Sequence, residues 1–355
     1  MTSLERILAA ATLEATDVTP CGPFAGFYAA RLAGVPLGRY VTDGEAIATA
    51  QVELQRRVGH DAVVTAADTY YLAEGFGLRT TIHDDALPTS NGPLLATLDE
   101  VDRLRVPDPE RDGRMPVYLQ AVRSLSRRLG DTVAIRGTGT GPFSVAAYLY
   151  GDQRFLMTLA EIEGGMADER DGHQVDRLLR LCAEASARFI RAQICSGEHI
   201  AYLGDSLSSV NMISPSMYRR WAQPYQKLVF ELVADDAKRY GARTLLHVCG
   251  DNRQTLADMA ATGADIIEID HAMDLAWCRS SLGPSLCLIG NLDPVRVVQD
   301  GTAEEVREGS QRCIRAAGEP GFILGTGCFV TRDTPLENLV AMVDAARETT
   351  THQSP

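Results

Sequence analysis

The sequence predicts an α/β protein: a (β/α)8 TIM barrel with an N-terminal helical extension. From about residue 60 onward, short apolar runs alternate with longer amphipathic segments, which indicates parallel strands joined by helices. The structural alternative, an open doubly wound sheet, usually carries G-x-G-x-x-G after its first strand, and that motif is missing here. We therefore expect one barrel domain over residues 1–355, with residues 1–59 as the extension.

Seven apolar runs have the length and composition of buried strands, and the eighth strand of the barrel is not identifiable. The candidate strands are 61–66, 132–137, 199–203, 243–248, 264–269, 285–290 and 321–325. In the extension, residues 44–58 have the periodicity of an amphipathic helix, whereas the Gly/Pro-rich residues 20–26 are typical of a turn.

Helical segments lie between the candidate strands. We predict helices over 115–129, 175–195, 215–240, 253–262, 303–317 and 335–348. Ser214-Pro215 and Thr334-Pro335 are typical helix starts, since a capping hydroxyl precedes a proline that suits the first helical position.

Charge and cysteine usage limit the function classes. The formal net charge of −13 makes nucleic acid and anionic membranes poor partners. Neither a signal-peptide core nor an apolar run of about 20 residues is visible, so we expect no membrane span. Eight cysteines scattered through such a chain favour reduced thiols and a cytoplasmic location over a disulfide framework.

The strongest local signal for chemistry is His247-Val-Cys249, at the end of a candidate strand. Side chains alternate along a strand, so His247 and Cys249 point to the same side, and barrel active sites lie at strand ends. This pair is half of a zinc site. On its own it is more typical of a core histidine beside a buried cysteine.

Cys328 follows the last candidate strand and should face the same barrel mouth. It completes a Cys2His set with one open position, the arrangement of catalytic zinc. Glu268 ends the strand after His247 and points into the barrel by alternation. We expect it to approach the zinc as a labile fourth ligand; the alternative is a carboxylate bound to a basic residue such as Arg136.

Other polar strand ends are weaker candidates. Asp205 is the best placed of the mouth aspartates to orient substrate or to hydrogen-bond a ligand, although a structural loop carboxylate is the plainer interpretation. The alternating glycines of residues 137–141 favour a tight loop lining a pocket, with a phosphate cradle as the alternative.

Several motifs in order along the chain resemble a known family, the uroporphyrinogen decarboxylase superfamily. They are His247-x-Cys249, Gly290-Asn-Leu-Asp-Pro294, Gly327-Cys-x5-Thr-Pro-x-Glu-Asn338, Val106-Pro-Asp-Pro109, Gly141-Pro-Phe143, Ile213-Ser-Pro215 and Pro224-Tyr225. More narrowly, they resemble its zinc-dependent corrinoid methyltransferase branch, the methylcobalamin:coenzyme M methyltransferase type. The resemblance implies a (β/α)8 barrel and a zinc ion held by His247, Cys249 and Cys328.

The sequence departs from the decarboxylases of that superfamily. It lacks their N-terminal Arg-Gln-Ala-Gly-Arg run, and Thr326 stands where they have a histidine. Asp68 and Tyr148 do fall where they place a catalytic aspartate and tyrosine, although a pocket acid and a pocket-wall aromatic are the plainer interpretation.

The resemblance therefore implies a zinc-dependent methyltransferase that moves a methyl group between a corrinoid such as methylcobalamin and a small thiol or tetrahydrofolate. The corrinoid is expected on a separate protein, since no cobalamin-binding Asp-x-His-x-x-Gly run occurs here. The alternatives are a decarboxylase-like lyase acting on a tetrapyrrole and a non-catalytic zinc- or corrinoid-binding protein. If the protein forms an oligomer, we expect a homodimer.

Overall fold

A computed structural model describes residues 1–318 and 320–348 of the chain. Its main sheet has seven parallel strands: β1 (Ala62–Val64), β2 (Ala134–Arg136), β3 (Ile200–Gly204), β4 (Arg243–His247), β5 (Ile266–Glu268), β6 (Cys287–Leu292) and β7 (Phe322–Thr326). Each strand pairs with its neighbour in the sequence, so all carboxyl ends lie at one edge. The seven predicted strands are all confirmed. Thr80–Thr81 and Thr89–Ser90 form a separate small hairpin.

The two outer strands of the sheet are linked by a short extended segment, residues 20–22. The backbone of this segment forms hydrogen bonds with β7: Gly22 N donates to Leu324 O at 2.9 Å, and Leu324 N donates to Pro20 O at 2.8 Å. On the other side, Asp61 N donates to Cys21 O at 2.7 Å, just before β1. The turn predicted over residues 20–26 is therefore, in part, a piece of backbone that bridges the sheet edges.

Helices fill the connections between the strands. They are Ser3–Ala11, Gly26–Leu32, Leu37–Tyr40, Gly44–Val58, Tyr71–Phe76, Met115–Leu129, Pro142–Tyr150, Asp152–Glu163, Glu169–Cys195, Pro215–Trp221, Gln223–Tyr240, Leu256–Ala260, Leu275–Leu282, Ala303–Ala317 and Leu336–Arg347. Among the described residues, none of these is both long and apolar enough to span a bilayer.

The predicted helix over 215–240 is interrupted at Ala222, where Pro224 follows in the first turn of the next helix. A proline lacks the N–H that would continue the preceding helix, which accounts for the break. Ser214 does cap its helix as predicted, accepting from Met217 N at 3.2 Å. The hydroxyl of Thr334 makes no such cap, since that helix begins at Leu336 after Pro335.

The helices of residues 1–59 are packed into the α/β layers. Ser3–Ala11 contacts β1, β2 and β7 at their amino-terminal ends, where Leu4 N donates to Thr132 O at 2.9 Å. Gly44–Val58, which is the helix predicted there, packs against Met115–Leu129 and Leu336–Arg347. An extension separate from the α/β architecture is therefore not confirmed.

Strand side chains alternate between two apolar clusters. Leu245, Ile266 and Ile289 belong to the cluster inside the curved sheet, whereas Leu246 and Ile267 belong to the cluster under the helices. This is the period of two that a strand imposes. It places Glu268, two residues after Ile266, on the inner side as predicted.

Candidate metal centre

A cavity of about 50 Å³ lies at the carboxyl-terminal edge of the sheet. Its wall is formed by Phe24, Ala66, Asp68, Thr69, Tyr71, Thr138, Gly139, Thr140, Tyr202, Gly204, Ser206, His247, Cys249, Cys328 and Phe329. The loop of residues 137–141 therefore lines a pocket, as predicted. Pockets that bind drug-sized ligands have volumes of about 300–1,000 Å³, so this cavity is suited to a much smaller molecule.

Three soft donor atoms meet in the cavity wall. A nitrogen of His247 and the sulfur atoms of Cys249 and Cys328 all lie within 4.8 Å of one another. His247 ends β4 and Cys249 follows it by two residues, so both side chains face inward; His247 Nε2 is 3.1 Å from Cys249 Sγ. Cys328 arrives from the end of β7. One imidazole and two thiols at this spacing could hold a zinc ion.

The protonation behaviour of the three donors is mutually dependent. A hydrogen bond with Cys328, together with one to Ser206, lowers the pKa of Cys249 against the effect of its burial. The same thiol–thiol bond, reinforced by burial, raises the pKa of Cys328. Burial lowers the pKa of His247, but the Glu268 carboxylate and Cys328 outweigh it, so that pKa is raised. One thiol is thus closer to a thiolate than the other.

Polar groups hold the Cys249 loop in place. Ser206 Oγ is 3.4 Å from Cys249 Sγ. The next residue, Gly250, donates its N–H to Asp270 Oδ2 at 2.8 Å, and the other oxygen of Asp270 accepts from Ala272 N at 2.8 Å. Asp270 therefore ties the loop after β4 to the loop after β5.

The Cys328 loop is held by Thr326 and by a close backbone contact. Thr326 Oγ1 donates to Cys328 O at 2.6 Å and accepts from Phe24 N at 3.2 Å. A Cβ at Gly327 would lie 2.2 Å from His271 N, so a side chain at that position would push the loop away. These contacts fix the direction from which Cys328 reaches the other two donors.

Glu268 does not join the three donors, contrary to our expectation that it approaches the metal. Its two oxygens each accept from Arg136, at 2.7 Å from Nη1 and 2.7 Å from Nη2, in a buried ion pair. Oε2 also lies 3.2 Å from His247 Nδ1, without the alignment of a hydrogen bond. A carboxylate next to the far nitrogen of a ligating histidine normally orients the imidazole rather than binding the metal.

Arg136 is enclosed by aromatic rings. Its guanidinium carbon lies 3.9 Å from the ring centre of Phe24 and 4.4 Å from that of Tyr202. The charge is thus paired with Glu268 and shielded by two π faces, which makes a buried cation acceptable inside the sheet.

Asp68 lines the cavity, but both of its oxygens are already engaged. Arg114 donates to Oδ2 at 2.7 Å and to Oδ1 at 3.0 Å, Tyr118 donates to Oδ2, and Tyr70 N donates to Oδ1. Arg114 also binds Glu74, at 2.8 Å from Nε to Oε2. The cluster thus holds one guanidinium and two carboxylates.

Tyr148 and Asp205 are not among the cavity-lining side chains. Tyr148 donates to Thr69 Oγ1 at 3.2 Å and thereby contacts a residue of the cavity wall. Asp205 is fully buried and accepts from Ser144 N at 2.8 Å and from Gln226 Nε2 at 2.9 Å. Burial raises the pKa of Asp205 against these bonds. Its carboxylate caps the helix Pro142–Tyr150. This contact agrees with the plainer interpretation of the sequence, in which Asp205 is a structural carboxylate.

Three contributors to the site were missed in the sequence: Ser206, Thr326 as a loop tie, and Arg114. Ser206 lies two residues after the end of β3, and its polar position near a strand end was a usable signal. Arg114 precedes a helix far along the chain from Asp68, and no spacing rule joins them.

Comparison with known proteins decides the family. The uroporphyrinogen decarboxylase (URO-D) family model matches residues 2–349. The chain belongs to the URO-D family. Within this URO-D chain, Asn291 of the Gly-Asn-Leu-Asp-Pro motif donates to Asp270 O at 3.1 Å and to Met273 O at 2.7 Å. The motif therefore supports the loop whose Asp270 side chain binds Gly250, next to Cys249.

Two kinds of relative have similar identity to this URO-D chain. The methylcobamide:CoM methyltransferase MtbA of Methanosarcina acetivorans is 29% identical over 308 residues, covering 86% of this chain and 85% of that protein. A uroporphyrinogen decarboxylase of Carboxydothermus hydrogenoformans is 30% identical over 312 residues, covering 84% and 82%. Among solved structures, a methyltransferase from Methanosarcina mazei has a TM-score of 0.85, with 22% identity and 98% of each chain covered, which shows the shared fold.

Proposed function

We propose that this protein is a zinc-dependent methyltransferase that moves a methyl group between a corrinoid and a small thiol. The observation that carries the proposal is the convergence of His247, Cys249 and Cys328 on one small cavity. Similarity to the MtbA protein supports the same activity. The methyl donor is a methylcobalamin-type corrinoid carried by a separate protein.

The donor set fits zinc on chemical grounds. One imidazole and two thiols, with Glu268 beside the far imidazole nitrogen, are the ligands and outer support of a three-ligand catalytic site. The chemistry that zinc supplies in such a site is a lowered thiol pKa, which makes an incoming sulfur nucleophilic at neutral pH.

The protein's own residues would orient the reaction. In the direction towards the thiol, the substrate sulfur attacks the methyl carbon; a sulfur–carbon bond forms and the cobalt–carbon electron pair stays with cobalt. The Ser206 hydroxyl accepts from Cys249, and the Glu268 carboxylate, 3.2 Å from His247 Nδ1, would orient the imidazole when the metal is bound. Asp68 contributes a carboxylate to the cavity wall, Tyr148 supports that wall through Thr69, and Asp205 positions the neighbouring helix.

The decarboxylase alternative is less well supported by the cavity. A tetrapyrrole with several carboxylates needs cationic side chains, and no described lining residue is lysine or arginine. The volume of about 50 Å³ also favours a small thiol over tetrahydrofolate.

We further propose that the predicted single domain over residues 1–355 is a closed (β/α)8-type fold, with residues 20–22 in place of the eighth strand and residues 1–59 as its N-terminal part. Residues 319 and 349–355 of that prediction lie outside the described part of the chain. Support comes from the backbone bonds of residues 20–22 to both edges of the sheet. A cytoplasmic location, which rests on the scattered unpaired thiols, and a homodimer are also proposals.

The test joins metal content to activity. Zinc per chain and thiol-dependent demethylation of methylcobalamin, followed by corrinoid absorbance, are measured for the wild type, Cys249→Ser and Cys328→Ser. Both variants should lose zinc and activity while keeping the wild-type circular dichroism spectrum.

Cys195→Ser is the matched control, because Cys195 is an exposed free thiol at the end of a helix. It should retain zinc and activity. Full zinc occupancy in both site variants, or consumption of uroporphyrinogen without a need for zinc, would overturn the proposal.

A further inference from the structure

We propose that the thiol used at this site has an uncharged or positively charged tail, and that thiols with an anionic tail are disfavoured. This inference rests on the proposed function and names the substrate class of the same site. It follows from the charges of the side chains around the cavity.

The wall next to the sulfur donors offers hydroxyl groups and one carboxylate. Thr69, Thr138 and Tyr71 supply hydroxyls, and Asp68 is the acidic group. Within the described part of the chain, the wall contains neither lysine nor arginine. A sulfonate or carboxylate tail would therefore meet no cationic partner there, whereas an ammonium or hydroxyl tail would meet acceptors.

Two buried arginines lie behind this wall, and both are compensated. Arg136 is paired through both terminal nitrogens with Glu268. Arg114 binds Asp68 and Glu74 together, so that cluster carries one more negative than positive charge. Neither guanidinium is available to neutralise a substrate anion.

Two arginines near the rim belong to a different cavity. Arg31 and Arg332 line a surface cavity with Phe27, whose ring stacks at 5.2 Å on Phe329 of the metal-centre wall. Arg31 is also paired with Asp333 at 3.0 Å. Neither arginine is among the residues that line the metal-centre cavity.

Charge counting gives the expected size of the effect. Two cysteinates and a neutral imidazole balance a divalent metal, and the bound thiolate adds one negative charge. A charged group two carbons from the sulfur would lie roughly 5–6 Å from that charge, in a cavity whose wall includes the Asp68 carboxylate. Repulsion between unit charges at this distance, at an effective dielectric constant of about 20, corresponds to roughly a 100- to 300-fold loss of affinity, and solvent screening reduces that figure.

The experiment compares three thiols of equal linker length on the cobalt(II)-substituted protein. The probes are 2-aminoethanethiol, 2-mercaptoethanol and 2-mercaptoethanesulfonate, which is coenzyme M, and binding is followed by thiolate-to-cobalt absorbance. Each dissociation constant is calculated from the concentration of the thiolate form, because the thiol groups of the three probes have different pKa values. We expect the amine and the alcohol to bind at least about tenfold more tightly than the sulfonate.

Glu74→Gln provides a second measurement, since Glu74 lies outside the cavity wall and its loss makes the Arg114 cluster neutral. This variant should narrow the gap between sulfonate and amine, whereas Glu110→Gln, which alters a remote exposed pair with Arg123, should not. Equal or tighter binding of the sulfonate by the wild type would overturn the inference and leave the proposed function standing. No spectral response to any thiol, with cobalt bound, would remove both.

Discussion

Oε2 of Glu268 lies 3.2 Å from Nδ1 of His247, and the same carboxylate accepts hydrogen bonds from both terminal nitrogens of Arg136. Nε2, on the opposite side of the imidazole, faces Cys249 Sγ. Glu268 thus links the buried cation of the sheet interior to the nitrogen-donor side chain of the candidate metal centre. The arrangement separates two roles that can be tested apart: charge compensation and imidazole orientation.

The first prediction concerns this pair. Glu268→Gln should destabilise the protein by about 3–5 kcal/mol, because Arg136 is left buried without a counter-charge. The double variant Arg136→Met/Glu268→Gln should recover most of that loss in urea unfolding. Zinc affinity, measured by chelator competition, should stay roughly 10- to 100-fold reduced in both, since the imidazole has lost its carboxylate partner. Wild-type affinity in the double variant would show that Glu268 serves only charge compensation.

A second prediction concerns Thr326, whose hydroxyl joins Cys328 O to Phe24 N. Thr326→Val should cost about 1–3 kcal/mol in unfolding free energy, because two buried backbone groups lose their partner. It should also weaken zinc binding, since the Cys328 loop is released. Thr326→Ser keeps the hydroxyl and should retain zinc affinity; equal losses in both variants would point to the methyl group instead.

Asp205 is predicted to act on stability rather than on chemistry. Asp205→Ala removes the acceptor for Ser144 N and Gln226 Nε2 and should lower the unfolding free energy by about 1–3 kcal/mol. Turnover per folded molecule should fall less than about tenfold, well below the loss of roughly 10²–10⁴ typical of a general acid or base. A larger fall in kcat at unchanged stability would indicate that Asp205 takes part in the reaction.

The fourth prediction is a pH dependence. His60 is buried, and burial lowers its pKa to about 4, from 6.5. Between those values an unfolded chain binds a proton that the folded chain does not, so stability falls as pH drops from about 6.5 to 4. The shift corresponds to a loss on the order of 3 kcal/mol. His60→Gln should flatten the pH dependence of urea unfolding in that window; an unchanged slope in this variant would contradict the prediction.

Strand alternation and the geometry of parallel sheets were sufficient to predict the strands and the convergence of the three candidate metal donors. Alternation of side chains puts His247 and Cys249 on the same side of the sheet. Parallel strands have all their carboxyl ends at one edge, so Cys328, which follows β7, lies at the same edge as the other two donors. The seven strands follow from apolar runs for the same reason, because burial on both faces leaves a continuous signal in the chain. These features depend only on neighbours within a few residues or on a rule that holds for every parallel sheet.

Tertiary structure alone decided what the carboxylates do. Glu268 is 132 residues from Arg136, and Asp68 is 46 residues from Arg114. A buried carboxylate must find a counter-charge or donors, but which group satisfies it depends on the strands and helices that packing brings alongside, and periodicity carries no record of that. For this reason the sequence predicted that His247, Cys249 and Cys328 face one cavity. Only the folded chain shows that Glu268 pairs with Arg136, that Asp205 caps a helix, and that the described residues of the cavity wall include neither lysine nor arginine.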